Sequence, residues 1–373
     1  MGKQGTIGVA FVGVGAFIAG NHLPNLAEHP RFRIRWLCDL NEKTLKDRVR
    51  RFQPDRHTTR IEDILEDPQV DLVIIGTRQD ARPPLIRQCA HAHKHVFVEK
   101  PMSSSTTESR KIVRWVRESG ILFQVGYNRR YAPALVEARR RFHQLRAQAK
   151  YPPLVTYRAV DESFLWPIYP FDPATGGKVF HEACHFLDMA CWFMGKLPVS
   201  IVATGQVRDN QISTLEFEDG ASFSFVNGGD GCASYPKERL EAWTAWSTIV
   251  MENFIELTVA TQKDWRVTRY PLFRDRGRRT RRILTPEAFN RLTARWRQSI
   301  SDAEFQERHY YRSYPTVDKG HLAQFLDLAD AIREKRPTTG CNEMDGARAT
   351  YLCERCIEAI RTGRRVRLKR EFL

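Results

Sequence analysis

No stretch of this 373-residue chain runs to about eighteen apolar residues free of glycine, so nothing in it reads as a membrane-spanning helix. Internal repeats and low-complexity linkers are missing too, which argues against a repeat architecture or a tethered array. The opening MGKQGTIGVAFVGVGAFIAG places one lysine before an apolar run, yet no small-x-small cleavage site follows cleanly. Its glycines fall where a strand, turn and helix want them, and Thr6, which with Met1-Gly2 fits a loose myristoylation pattern, reads as a strand start. Zinc-type cysteine spacing is also lacking. Cys353 and Cys356 form one C-x-x-C pair, but no second pair accompanies them and they fall within the helical GARATYLCERCIEAIRTG. The cysteines at 38, 89, 184, 191, 232, 341, 353 and 356 lie mostly in apolar segments, as in a reduced, cytoplasmic protein. His91, His93 and His95 alternate across a helix end and a strand start, and so do not read as a metal tract.

The formal net charge is +15, concentrated in EARRRFHQLRAQAK (137–150), RDRGRRTRR (274–282) and RTGRRVRLKR (361–370). Aromatic residues are not interleaved with these runs as a base-stacking platform requires, so no nucleic-acid partner is expected. A solvated surface, or a field that draws in an anionic small molecule, suits the pattern better. The Arg-rich run 274–282 reads as a mobile loop.

A chain of this length holds two domains, each with its own core and with a site expected in the crevice between them. TIGVAFVGVGAF is a short β-branched run that ends in Gly13-Val14-Gly15 and opens into the helical AFIAGNHLPNLAEH. Strand, tight turn and helix is the order in which a pyrophosphate is cradled: Gly13 permits the turn, and Gly15 lets the backbone approach the phosphates. The third small residue of that fingerprint is absent, since Ile18 stands in its place. A second strand, FRIRWLCDL, ends in Asp39, 26 residues after Gly13. A carboxylate there accepts from the ribose hydroxyls and repels a 2′-phosphate, so NAD is the expected cofactor. VDLVIIGT (70–77), the helical PPLIRQCAHA, HVFVEKP (95–101), STTESRKIVRWVRESG and ILFQVGY continue the strand–helix alternation of a doubly wound parallel sheet.

With EKP at 99–101 and GYNRRYAP at 126–133, the chain resembles the Gfo/Idh/MocA oxidoreductases over nearly its whole length. Segments resembling one subgroup are Thr77-Arg78-Gln79, Asn128-Arg129-Arg130-Tyr131-Ala132-Pro133, His181 to Asp188, and Pro236 to Glu241. The resemblance implies an α/β fold: an N-terminal Rossmann doubly wound parallel sheet plus a C-terminal α/β domain with an open, mostly antiparallel sheet. Residues 1–130 would bind NAD. Residues 131–373 would bind substrate and form a homodimer or homotetramer through the open sheet, with closing helices over 320–363 packing back on the first domain. Cofactor contacts are expected from Gly13, Gly15, Ala16, Phe17, Ile18, Asp39, Thr77, Arg78, Glu99, Lys100 and Asn128.

In the family pattern the E-K-P lysine, here Lys100, lies beside the nicotinamide and the reacting hydroxyl, and G-G-G-x-x-x-D-x-G-x-H-x-x-D supplies a catalytic histidine. That motif aligns with GGKVFHEACHFLD, so His185 takes the histidine position and Asp188 the trailing aspartate, while His181, beside Glu182, replaces the earlier carboxylate. The same string spells H-E-x-x-H. On a helix His181 and His185 would share a face, as in a zinc hydrolase. A zincin needs a third ligand, however; Cys191 stands where one class has histidine, and 204–210 holds no glutamate for the other. No metal is expected, and Lys100, His185, His181 and Glu182 are the candidate catalytic groups. Removing a hydroxyl proton while hydride leaves the same carbon requires such bases.

Tyr127, Arg129, Tyr131, Trp166, His181, His185 and Lys237 are candidate substrate contacts. The expected activity is NAD-dependent oxidation of a secondary ring hydroxyl of a pyranose or glycoside. The alternative resembles the NAD-dependent glycoside hydrolases on the same scaffold. There oxidation at C3, elimination, water addition and re-reduction leave NAD unchanged, and the cationic surplus would suit an anionic sugar such as a sulfoquinovoside. In the second half LVTYRAV, VSIVATGQV, QISTLEFEDG, ASFSFVNGG and STIVMENFIELTVA read as strands, with a helix through 181–195 lying across them. GHLAQFLDLADAIREK and EMDGARATYLCERCIEAIRTG read as amphipathic closing helices.

Overall fold

The structure is a computed structural model that describes residues 5–162, 172–232, 235–275, 278–301, 315–369 and 371. The chain divides into two compact units, Met1–Asn128 with His321–Thr350, and Arg129–Gly320 with Tyr351–Leu373. In the first, strands β1 (Ile7–Val12), β2 (Phe32–Cys38), β3 (Arg56–Thr58), β4 (Leu72–Ile75), β5 (His95–Val98) and β6 (Phe123–Val125) form a parallel sheet in the order β3-β2-β1-β4-β5-β6. Every residue of β1 and β4 is buried, the mark of a sheet covered on both faces. Helices α1 (Leu23–Ala27), α2 (Glu42–Phe52), α3 (Ile61–Leu65), α4 (Arg82–His91) and α5 (Thr106–Ser119) connect the strands. Their starts follow local chemistry: Asn41 accepts the Thr44 N–H ahead of α2, and Ser105 accepts that of Glu108 ahead of α5. Val9, Phe11, Leu72, Ile74 and Phe97 share one core with Phe325 and Leu328 of the helix Ala323–Glu334. The order reverses between β1 and β4, which opens a crevice at the carboxyl ends of these strands, where ligands of such sheets bind.

The second unit is built on a mostly antiparallel sheet containing β7 (Leu154–Val160), β8 (Ser200–Gly205), β9 (Gln211–Glu216), β10 (Ser222–Gly228), β11 (Glu238–Thr244), β12 (Ser247–Glu252), β13 (Glu256–Ala260) and β14 (Trp265–Arg269). A smaller sheet holds β15 (Leu272–Asp275), β16 (Arg278–Arg279) and β17 (Thr316–Val317), and β18 (Val366–Arg367) joins the large sheet beside β8. Within the large sheet only β7 and β10 run parallel. One face is packed: Phe186 of the helix Cys184–Met194 stacks on Tyr157 at 5.1 Å and meets Phe225 at 5.6 Å, while Phe142 of the helix Pro133–Arg146 meets Phe193 at 5.0 Å. The opposite face leaves Leu154, Ile212, Val226 and Trp243 exposed.

Two local expectations change. The Arg-rich run is not a mobile loop in its described residues but part of a hairpin, with Arg274 paired to Arg279 and Asp275 to Arg278. Leu272, buried against Val317, and Phe273, which receives the Arg274 and Arg279 guanidinium groups at 5.6 and 5.1 Å, anchor it. STIVMENFIELTVA, expected as one strand, is two, β12 and β13, paired antiparallel about a turn with Asn253 and Phe254 at positive φ, and β11, a further strand that the Pro236–Glu241 segment enters, joins β12 through a turn at Ala245 and Trp246, both also at positive φ. Cys353 and Cys356 face the packing of the second unit, the former toward the Val179 carbonyl and the latter toward Ser213, and burial pushes the Cys356 thiol up to about 11. Among the described residues no helix is long and apolar enough to cross a membrane.

Candidate active site

The first unit gathers its candidate residues at the carboxyl ends of adjacent strands: Gly13 after β1, Asp39 after β2, Thr77 after β4, Glu99 and Lys100 after β5, and Asn128 beyond β6. Gly13 has φ +82°, and a Cβ there would lie 2.9 Å from the Thr77 backbone nitrogen, so only glycine suits the turn. A Cβ on Gly15 would meet nothing within 4 Å, which leaves open ground in front of the loop. Ile18 replaces the usual small residue because its partner strand yields instead: a Cβ on Gly76 would stand 2.3 Å from Ile18 Cγ1. The helix beyond the loop opens as a π turn over Ile18–His22, a rare form often found at functional sites. Asp39 pins the loop from the neighbouring strand, accepting the N–H of Val14 at 2.9 Å and that of Asn41 at 2.9 Å.

The loop carrying Lys100 is clamped by a residue that no motif flagged. Arg82 is buried and donates to the Thr77 carbonyl through Nε at 3.0 Å and Nη2 at 2.7 Å, to the Glu99 carbonyl at 2.6 Å, and to the Pro101 carbonyl. Its rigid fork thereby joins the ends of β4 and β5. Glu99 does not face solvent; its carboxylate lies 2.6 Å from Nε2 of buried His22 and accepts the Lys100 N–H at 3.2 Å. Lys100 itself is half-buried, Tyr127 is buried, and Arg78 is exposed and paired with Asp80. Ala16 and Phe17 are half-buried at the start of the helix, and Asn128 is buried beside His321.

In the second unit the H-E-x-x-H string straddles a π turn, Val179–Ala183, and the α-helix Cys184–Met194. The i→i+5 bonding of that turn is wider than an α turn, so the expected α-helical stacking of His181 over His185 does not apply. His185 is buried; His181 is half-buried, with Nε2 3.4 Å from Thr175 Oγ1. Glu182 sits between two cations, Arg129 at 3.4 Å and Lys237 at 3.3 Å. Arg129 is committed further to Glu238 through paired bonds of 2.7 and 2.9 Å, and Glu238 also receives Tyr157 at 2.5 Å and Lys319 at 2.5 Å. Lys237 and Lys178 both pair with Asp161, at 2.7 and 3.2 Å, and Lys178 continues to Asp209 at 3.3 Å. Asp188 is held by both arms of Arg130, at 3.0 and 2.6 Å. Tyr131 is half-buried, and Trp166 lies outside the described residues.

These partners set the charge states. Burial works against ionisation of Glu238, but Arg129, Lys319 and Lys237 hold its carboxyl far below the usual range. Burial likewise opposes the Lys237 charge and is outweighed by Asp161, Glu182 and Glu238, which keep it well above an ordinary lysine. For Lys319 the balance goes the other way, burial and the neighbouring Lys237 and Arg129 lowering it despite Glu238. Among the described residues no group of histidine, cysteine, aspartate and glutamate side chains is placed to hold a metal ion.

Residues 7–127 match the sequence profile of an oxidoreductase family with an NAD-binding Rossmann fold, the Gfo/Idh/MocA proteins. These residues carry the Rossmann domain of that family. Similarity extends past the profile: an uncharacterised oxidoreductase, YrbE, of Bacillus subtilis is 26% identical over 69% of this chain and 77% of its own length. Myo-inositol 2-dehydrogenase of Thermotoga maritima is 24% identical over 67% of this chain and 77% of its own. In fold, the chain is similar to a levoglucosan dehydrogenase solved with NADH and levoglucosan, with a TM-score of 0.77 at 18% identity, over 98% of this chain and 99% of that one. The first unit thus holds an NAD-binding Rossmann domain, and the open ground at Gly15 with a carboxylate at Asp39 fits that group.

Glu238 gives a test of how the second unit is held. Glu238→Gln leaves buried Arg129 with only Glu182, at 3.4 Å, as counter-charge and removes that of half-buried Lys319, and denaturant unfolding at pH 7 should show a loss of up to about 3 kcal/mol. Because the folded carboxyl is depressed, the wild-type advantage is full above the ordinary carboxylate range and shrinks as pH falls below about 4, so the two unfolding curves should converge in acid.

Proposed function

We propose that this oxidoreductase removes hydride from a ring carbon of a cyclitol or pyranose and the proton from the secondary hydroxyl on that carbon, with Lys100 as the proton acceptor. The observation that carries this assignment is the place of Lys100, at the carboxyl end of β5 on a loop held by Arg82 and Glu99, in the sheet whose glycine turn follows β1. Gly13 to Ile18 would line the pyrophosphate, Asp39 would accept from the adenosine ribose, and Thr77, Arg78, Glu99 and Asn128 would border the remainder of the cofactor. Bound NAD supplies the hydride acceptor. Lys100 takes the hydroxyl proton, with Tyr127 orienting the ring, and His185, His181 and Tyr131 are the second unit's candidates for holding substrate hydroxyls.

The substrate is more consistent with a neutral polyol than with a sulfonated or otherwise anionic sugar. Arg129, Lys237, Lys178 and Lys319, the cations an anionic group would need, are matched by Glu182, Glu238, Asp161 and Asp209. Glu182 is engaged with Arg129 and Lys237, which counts against its use as an extra acid or base in the glycoside hydrolase cycle. The exposed strip of Leu154, Ile212, Val226 and Trp243 is the surface on which we place a second copy of the chain, and none of the eight cysteines is in a disulfide, in keeping with the cytoplasm.

The enzyme incubated with NAD and a panel of cyclitols, pyranoses and aryl glycosides should accumulate NADH in step with oxidised sugar and release no aglycone. Lys100→Ala should lower kcat by about 10²–10⁴-fold. Aglycone release without NADH, or full activity of that variant, would contradict the assignment. Light scattering on the same sample should give a particle at least twice the chain mass, and a monomer would remove the second copy.

A further inference from the structure

Resting on the role of Lys100 above, we infer that His22 is a positioning residue for that lysine and acts through the carboxylate of Glu99. His22 is wholly buried at the end of the π turn that follows the glycine loop. Its ring is boxed by the rings of Phe17, Phe97 and Phe325 at 5.2, 5.5 and 4.9 Å, all in edge-to-face contact. Nε2 lies 2.6 Å from Glu99 Oε1, while Nδ1 has no hydrogen-bond partner among the described residues. A carboxylate can only accept, so the proton shared between the two groups lies on Nε2. His22 is therefore a donor to Glu99.

Glu99 passes this constraint on. Its Oε2 accepts the backbone N–H of Lys100, and its Oε1 faces Gly126, where a Cβ would come within 2.9 Å, so the carboxylate is walled on that side. Arg82 holds the carbonyls of Glu99 and Pro101, on either side of the lysine. Burial pushes the Glu99 carboxyl up, but the hydrogen bond and charge of His22, followed by the charges of Lys100 and Arg82, bring it below the ordinary range, so the group beside Lys100 is an anion. Without the His22 donor a buried carboxylate must take up a proton or turn away, and Lys100 loses both an acceptor for its N–H and the adjacent negative charge.

Two variants separate positioning from packing. His22→Met fills the space with no donor, whereas His22→Gln offers an amide N–H in the direction of Nε2. The readouts are kcat and KM, and, independently of turnover, the rate at which a soluble succinimidyl ester acylates Lys100 at fixed pH, followed by peptide mass spectrometry with exposed Lys43 and Lys46 as internal standards. For His22→Met, kcat should fall about 10–100-fold with KM for NAD within about twofold of wild type. Release of the loop that Glu99 holds should free the half-buried Lys100 side chain and raise its acylation at least about threefold in that variant. His22→Gln should return both readouts to within about threefold of wild type. Wild-type acylation of Lys100 in His22→Met, or a His22→Gln variant as impaired as His22→Met, would overturn the inference. If the wild type oxidises no sugar, the assigned reaction fails, and the acylation rates still decide whether His22 governs Lys100.

Discussion

A charge removed from water has to be met by an opposite charge or by a well-placed donor, and both halves of this chain are arranged around carboxylates that satisfy that demand. In the second unit the carboxylate is Glu238, which gathers Arg129, Lys319 and Tyr157 from separate segments of the chain and, through Arg129, fixes Glu182 just ahead of the helix Cys184–Met194. In the first unit it is Glu99, which ties the turn after β1 to the loop after β5 through His22. Neither group is placed to act on a substrate itself. Each spends its charge in holding a neighbouring segment, and the side chains proposed to do chemistry, Lys100 and His185, lie next to those segments in sequence.

The same economy of space governs the nucleotide-binding turn. A third small residue usually lets the helix approach the strand, but here the helix carries Ile18 and the strand end carries Gly76, so close approach is preserved with the small and large partners exchanged. The π turn at Ile18–His22 then delivers His22 into the aromatic box above β5. A glycine fingerprint with one member missing is thus compensated within the same pair of elements, which is why the departure at Ile18 does not disturb the NAD-binding fold.

Much of this was legible in the sequence, and the exceptions have physical causes. The parallel sheet was readable because its strands are short apolar runs ended by Gly13, Asp39, Thr77 and Glu99, and each of those ends is a change of periodicity. Strand β11 was not, because its turn is made by Ala245 and Trp246 at positive φ, where asparagine or glycine would have been the signal. The hairpin of β15 and β16 was hidden under arginines whose guanidinium groups cover Phe273. Arg129 and Lys237 invited assignment to an anionic substrate, and only three-dimensional pairing shows that Glu182, Glu238 and Asp161 already match them. His22, Gly76 and Arg82 carried no motif at all, since their partners, Glu99, Ile18 and the carbonyls of Thr77, Glu99 and Pro101, are distant in sequence.

The central claim is that hydride leaves a ring carbon as Lys100 accepts the hydroxyl proton, and isotope transfer tests it most directly. With NAD and an inositol or pyranose fully deuterated on its ring carbons, mass spectrometry of the recovered cofactor should show NADH carrying one deuterium per sugar oxidised, and far less of it with Lys100→Ala. Sugar turnover that leaves no deuterium in the cofactor at any time, or deuterium transfer undiminished by the Lys100 substitution, would contradict the account.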